Sequence, residues 1–124
     1  MKISILFIGI ILSCASLFAQ SSQTTALVLG NESDLEQSLA SNYISFTLPE
    51  NSIESTVLSI AQQYEDLFSV VYESDSHKVT LHFEDNLAST RMSTVRFLFS
   101  NQIDFVTFNG NTYRCFDFFN QYLK

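Results

Sequence analysis

From Tyr43 onward the chain switches between two hydrophobic periods. YISFTL (43–48) alternates and is β-branched and aromatic, which predicts a strand. Pro49 ends it, because proline cannot donate to a sheet ladder. Ile53, Val57, Ile60, Ala61 and Tyr64 then recur at helical spacing and form one apolar stripe. Asn51 and Glu54 approximate a capping box for that helix, the Asn side chain accepting from a first-turn N–H and Glu54 reaching back. LFSVVY (67–72) reads as a second strand and ESDSH as a polar turn. KVTLHF (78–83) is a third strand, with Val79, Leu81 and Phe83 on one face and Thr80 and His82 on the other. Asn86 or Ser89 is expected to cap a second helix whose stripe is Met92, Val95, Leu98 and Phe99. IDFVTF (103–108) and TYRCFDF (112–118) flank Asn109-Gly110-Asn111, and Asn-Gly between two strand-like runs signals a hairpin.

The order is β-α-β, β-α-β-β. Two helices and about five strands suit a small α+β two-layer sandwich with one core. The pattern assigns residues 42–124 to a single α+β domain. Residues 20–41 are polar, rich in Ser, Thr and Gln and weakly patterned, so they are expected to be a flexible linker. The short run ALVL (26–29) carries too little periodicity to predict a strand.

Residues 1–19 read differently again. Lys2, the apolar run ISILFIGIIL and an exit of small residues make a secretory signal peptide, with cleavage near Ala19–Gln20. The run is shorter than the roughly 20 apolar residues that span a bilayer. Ile11-Leu12-Ser13-Cys14 resembles a lipobox, which gives a second reading with a lipid anchor at Cys14. Leu17 and Phe18 continue the apolar character past Cys14 and weigh for plain cleavage. Both readings place the protein in the periplasm or outside the cell.

Without the leader, five basic side chains face thirteen acidic ones, a net charge of −8. Such a surface repels phosphate backbones and argues against nucleic acid as partner. Cys115 is then the only cysteine, so the fold rests on its apolar core and not on an internal disulfide. Cys115 itself reads as a small buried residue in a strand. Of the chain's twelve Phe, ten lie beyond the leader, and with no Trp present they supply that core with volume.

Candidate chemistry is sparse. His77 and His82 lie five apart, one in a turn and one on a strand, an odd spacing that sends side chains to opposite faces. The three glycines are too scattered for a phosphate-cradling loop, and no G-x-S-x-G occurs. Glu65-Asp66 and Glu84-Asp85 sit at element ends, where solvated acids are ordinary. The sequence therefore predicts a non-enzymatic protein with no cofactor and no metal. Aromatic residues crowd the last third, and Phe105 and Phe108 point to opposite faces of any strand. Phe105, Phe108, Tyr113, Phe116, Phe118 and Phe119 are the candidate interaction surface.

ISFTLPENSIESTVLSIAQQYEDLFSVVY (44–72) resembles the first half of the secretin and TonB-receptor N-terminal short domain, STN. Pro49, Ile53, Ala61, Gln63 and Tyr72 stand where that pattern places them. Residues 94–99 and the Asn-Gly hairpin correspond loosely to its second half. Glu65-Asp66 replace the usual Gly after the first helix, and the second helix lacks the Ala-Leu pair. The resemblance implies an envelope interaction module serving TonB-dependent transport, signalling or secretion. LFSVVYESDSHKVTLHFED (67–85) is similar to the central hairpin of ferredoxin-like heavy-metal-associated domains. That alternative implies a domain binding a small ligand or ion, but PENSIE (49–54) stands where those domains carry Cys-x-x-Cys.

Overall fold

In the computed structural model, which describes residues 23–124, the first element is strand β1 (Thr25–Val28), followed by helix α1 (Glu32–Ala40). The linker expectation therefore fails over these residues. β1 has four residues, too few for its alternation to stand out, yet Ala26 and Val28 are buried. Only Leu35 of α1 is buried, so its apolar stripe is sparse. What starts α1 is a reciprocal capping box. Asn31 Oδ1 accepts from the Asp34 amide at 3.0 Å, and Asp34 Oδ2 accepts from the Asn31 amide at 2.9 Å. Gly30, at φ 91°, turns the chain into this cap, and a Cβ there would meet Asp34 Oδ2 at 2.6 Å. The leader and the first residues of the expected linker lie outside the described residues.

The elements expected from Tyr43 onward form in the expected order. They are β2 (Tyr43–Thr47), α2 (Glu54–Ala61) with a 3₁₀ turn at Gln62–Tyr64, and β3 (Phe68–Glu73). β4 (Lys78–Phe83), α3 (Ala88–Ser100), β5 (Phe105–Phe108) and β6 (Asn111–Arg114) follow. Asn109 and Gly110 both take positive φ, 52° and 81°, as a two-residue hairpin with the twist of its strands requires. The second hairpin strand stops at Arg114, however. Residues expected to continue it form helix α4 (Cys115–Phe118), which runs into a wider π-helical turn at Phe119–Leu123. Cys115, Phe118, Phe119, Tyr122 and Leu123 recur at helical spacing, and this period prevails over the β-propensity of the aromatics.

The six strands make one mixed sheet in the order β3-β4-β2-β1-β5-β6. β1 and β5 are parallel, and every other pairing is antiparallel. The fold is α+β in two layers. Ala26, Val28, Ile44, Phe46, Phe68, Val79, Leu81, Phe83, Val106 and Phe108 project from one sheet face and are buried under the helices. Phe68 anchors this core, with Tyr64 stacked on it at 5.5 Å and Phe97 edge-on at 5.6 Å.

Three expected details differ. Asn51 and Glu54 form no box: Ile53 is the N-cap of α2, without a side-chain hydrogen bond. Neither Asn86 nor Ser89 caps α3, whose N-cap is Leu87. Asn86 instead joins three segments, donating to the Leu39 carbonyl at 2.6 Å and accepting from Arg91, which also donates to the Leu123 carbonyl. The stripe of α3 is also rotated. Phe97 is buried and Phe99 is exposed, while Thr90, Ser93 and Thr94 lie inside. Among the described residues the Thr94 hydroxyl has no hydrogen-bond partner.

Candidate interaction surface

Of the six aromatic residues expected to form a surface, three do not. Phe108 and Phe118 are buried, with rings 5.8 Å apart and edge-on, and Phe119 is buried beside them. The physical reason is α4. Once residues 115–123 turn helical, they fold back over the β5–β6 hairpin and use these rings as core. Tyr113 is half-buried, its hydroxyl 3.1 Å from that of Tyr122. Phe105 and Phe116 remain partly open, at 37% and 49% exposure. Phe105 lies on the sheet and Phe116 on α4, so the expected patch is divided between two elements.

Among the described residues, the second face of the sheet carries no helix side chain from the core cluster and is partly open. Strand alternation sends Thr25, Leu27, Tyr43, Ser45, Thr47, Ser69, Val71, Thr80, His82, Phe105 and Thr107 to that side. Cross-strand hydroxyl pairs knit it together: Ser45 with Thr80 at 2.8 Å, and Thr107 with Thr112 at 3.0 Å. Val71, at 53% exposure, is its most open aliphatic side chain on a strand.

Strand β3 forms one edge of the sheet. Its pairing with β4 decides which main-chain groups are spent. Phe83 N–H donates towards β2, to the Asn42 carbonyl at 2.7 Å, while Glu84 N–H donates to the Leu67 carbonyl at 3.0 Å. Even-numbered residues of β4 therefore bond to β3, and the register pairs them with Ser69, Val71 and Glu73. The N–H and C=O groups of Phe68, Val70 and Tyr72 consequently point away from the sheet. β3 has six residues without proline or lysine, the usual devices that blunt an edge. The opposite edge, β6, is shorter at four residues and carries Arg114.

The histidines fall apart as their spacing requires. His77 sits in the β3–β4 turn at φ 56°, its Nδ1 2.9 Å from the Tyr72 hydroxyl, and His82 stands on the open face beside Tyr43. Burial, and then the Glu54 carboxylate, raise the Tyr72 phenol above its ordinary value. Among the described residues no group of three or more His, Cys, Asp or Glu side chains converges to hold a metal. Nor is any helix among them long and apolar enough to cross a membrane.

The junction of β2 and α2 opens onto a shallow depression of about 370 Å³, lined by Thr24, Asn51, Ser52, Thr56, Asn101 and Gln102 among others. Among the described residues its lining holds no ionisable side chain, so these offer hydrogen bonds but neither an acid, a base nor a nucleophile of lowered pKa. A smaller one, of about 190 Å³, lies between α1 and the first half of β2. There β1 has already ended, its ladder with β2 being confined to Leu27 and Thr47.

The sequence drew attention to the aromatic tail and missed the edge. An apolar strand bounded by turns looks the same from sequence whether it lies centrally or at a margin. The one signal was the Glu65-Asp66 pair before the run and the acidic turn after it, since acids cluster where a strand end meets water. Comparison of the chain with protein-family models, curated proteins and solved structures finds no match.

Proposed function

We propose that this chain is an exported, periplasmic, non-enzymatic interaction module that engages another envelope protein by strand addition at β3. The observation that carries the reading is the outer margin of β3, where three residues hold out main-chain donors and acceptors next to an exposed Val71. An added strand gains its affinity from those main-chain bonds and its specificity from alternate side chains. The basic-apolar leader supports export, and the strand–Pro–helix–strand order of residues 43–73 supports an STN-like role beside transport or secretion machinery. Phe105 and Phe116 are secondary contacts on this reading.

The test places a photo-crosslinking residue at Ser69 on β3 and, in a second protein, at Glu36 on the exposed side of α1. Both are expressed with the native leader and irradiated in intact cells. A discrete adduct from position 69 that position 36 does not give is the expected result. Equal labelling from both positions, or none from either, would remove the basis for the reading. Intact mass of the purified protein checks export, since a chain beginning near Gln20 without an acyl group is expected.

A further inference from the structure

We infer that the segment β3 accepts is an extended peptide with β-branched residues at its centre and Lys or Arg at both ends. This rests on the edge-strand reading above and adds the chemical class of the partner. Glu65 and Asp66 precede β3 with only Leu67 between, Glu73 closes it, and Asp75 follows in the turn. All four are exposed. Glu54 of α2 adds a fifth acid on the helical side, close enough to act on the Tyr72 phenol. The basic group nearest in the ladder is Lys78, which the register sets across from Glu73.

The middle of the strand is different. Phe68 is buried, Val70 and Tyr72 are half-buried on the helical side, and Ser69 and Val71 are exposed on the open side. A guest strand therefore meets acids at either end and, between them, a mostly apolar stretch in which Val70 and Val71 are the central pair. Because both ends are acidic, the charge pattern is the same whether the guest runs parallel or antiparallel.

The same acids disfavour a second copy of this chain. Two β3 strands pairing antiparallel about Val70 would bring Glu65 of each towards Asp75 of the other, and like charges placed opposite one another destabilise a strand pair. The net charge, −7 for the full chain and −8 without Lys2, opposes the approach at longer range. A basic guest escapes both penalties, and the attraction it gains is between exposed charges, so added salt weakens it.

The experiment uses the mature protein labelled with ¹⁵N and three eight-residue peptides sharing a Val-Thr-Val-Thr centre. One carries two basic residues at each end and the second two acidic residues. The third is the basic peptide with its alternate main-chain nitrogens methylated. The expected result is that the basic peptide shifts the amides of Phe68–Glu73 and binds about tenfold more tightly than the acidic one at low ionic strength. That preference should shrink towards unity at about 0.5 M salt and in the Glu65→Lys/Glu73→Lys protein, while N-methylation abolishes binding. Equal binding of basic and acidic peptides at β3 would overturn this inference and leave the edge-strand reading standing. Shifts away from β3, or binding that survives N-methylation, would reduce the effect to general attraction by an acidic protein and overturn it. Failure of every peptide to perturb β3 would overturn both.

Discussion

Cys115 begins α4 inside the core, its Sγ donating to the Ile103 carbonyl at 3.5 Å. Burial, and then the neighbouring Asp104 carboxylate, push its thiol up to about 12. An unfolded thiol titrates near 8.5. The folded state thus holds this proton more tightly. Its contribution is complete below the unfolded value and is lost as pH rises from there towards the folded one. The hydrogen bond with Tyr113, and then partial burial, push the Tyr122 phenol up to about 12 as well, which adds in the same direction. The urea midpoint is therefore expected to fall between about pH 9 and 11, and the Cys115→Ala protein to show a shallower slope there. Equal slopes for the two proteins would mean that the thiol is not the group responsible. The native thiol should also resist alkylation at pH 8 until the chain unfolds, because the thiolate is the reactive form.

At the scale of elements, α1 and α2 differ in how they begin, and the difference is measurable. Asn31→Ala removes one half of a closed capping box and should cost about 1 kcal/mol of stability, read as a lower urea midpoint with unchanged slope. Asn51→Ala, at a position with no cap bond, should stay within about 0.5 kcal/mol of the parent. The sequence points to the second asparagine, because Pro49 and a dense apolar stripe draw attention there. Asn31 and Asp34 have the same spacing but stand before a helix with a single buried side chain. Periodicity found β2, α2, β3, β4, α3 and the Asn109-Gly110 turn because each carries a repeated local signal. It misread α3 by crediting Phe99 and passing over Thr90, Ser93 and Thr94, since hydropathy assigns hydroxyl side chains to water. It misread Cys115–Phe118 because aromatic residues favour strands on average, while the i, i+3, i+4, i+7 and i+8 spacing there is helical. The exposed edge at β3 left no trace beyond the acids at its two ends, because edge position is a property of strand order and not of any one strand.

For the whole molecule, the consequence of β1 is large. It lies between β2 and β5 and is the strand through which the two halves of the sheet meet. A chain beginning at Asn42 keeps every element with a clear sequence signal and loses this junction. It would bare the margins of β2 and β5 and uncover the side of the core that Ala26, Val28 and Leu35 close. Such a chain is expected to aggregate or to lose its near-ultraviolet circular dichroism while keeping part of its far-ultraviolet signal. A soluble, cooperatively unfolding product would show that β1 is dispensable.

The parallel pairing of β1 with β5 sets Thr25 beside Phe105. Contacts so distant along the chain form late, because a long loop must close before they stabilise anything. A polypeptide emerging amino end first would have β1 and β2 in hand early, joined only at Leu27 and Thr47, with the other margin of β1 bare until β5 arrived. The two halves of the sheet are therefore joined only once the last third of the chain is in place, and a chain halted short of Phe105 would be left with an unpaired margin along β1.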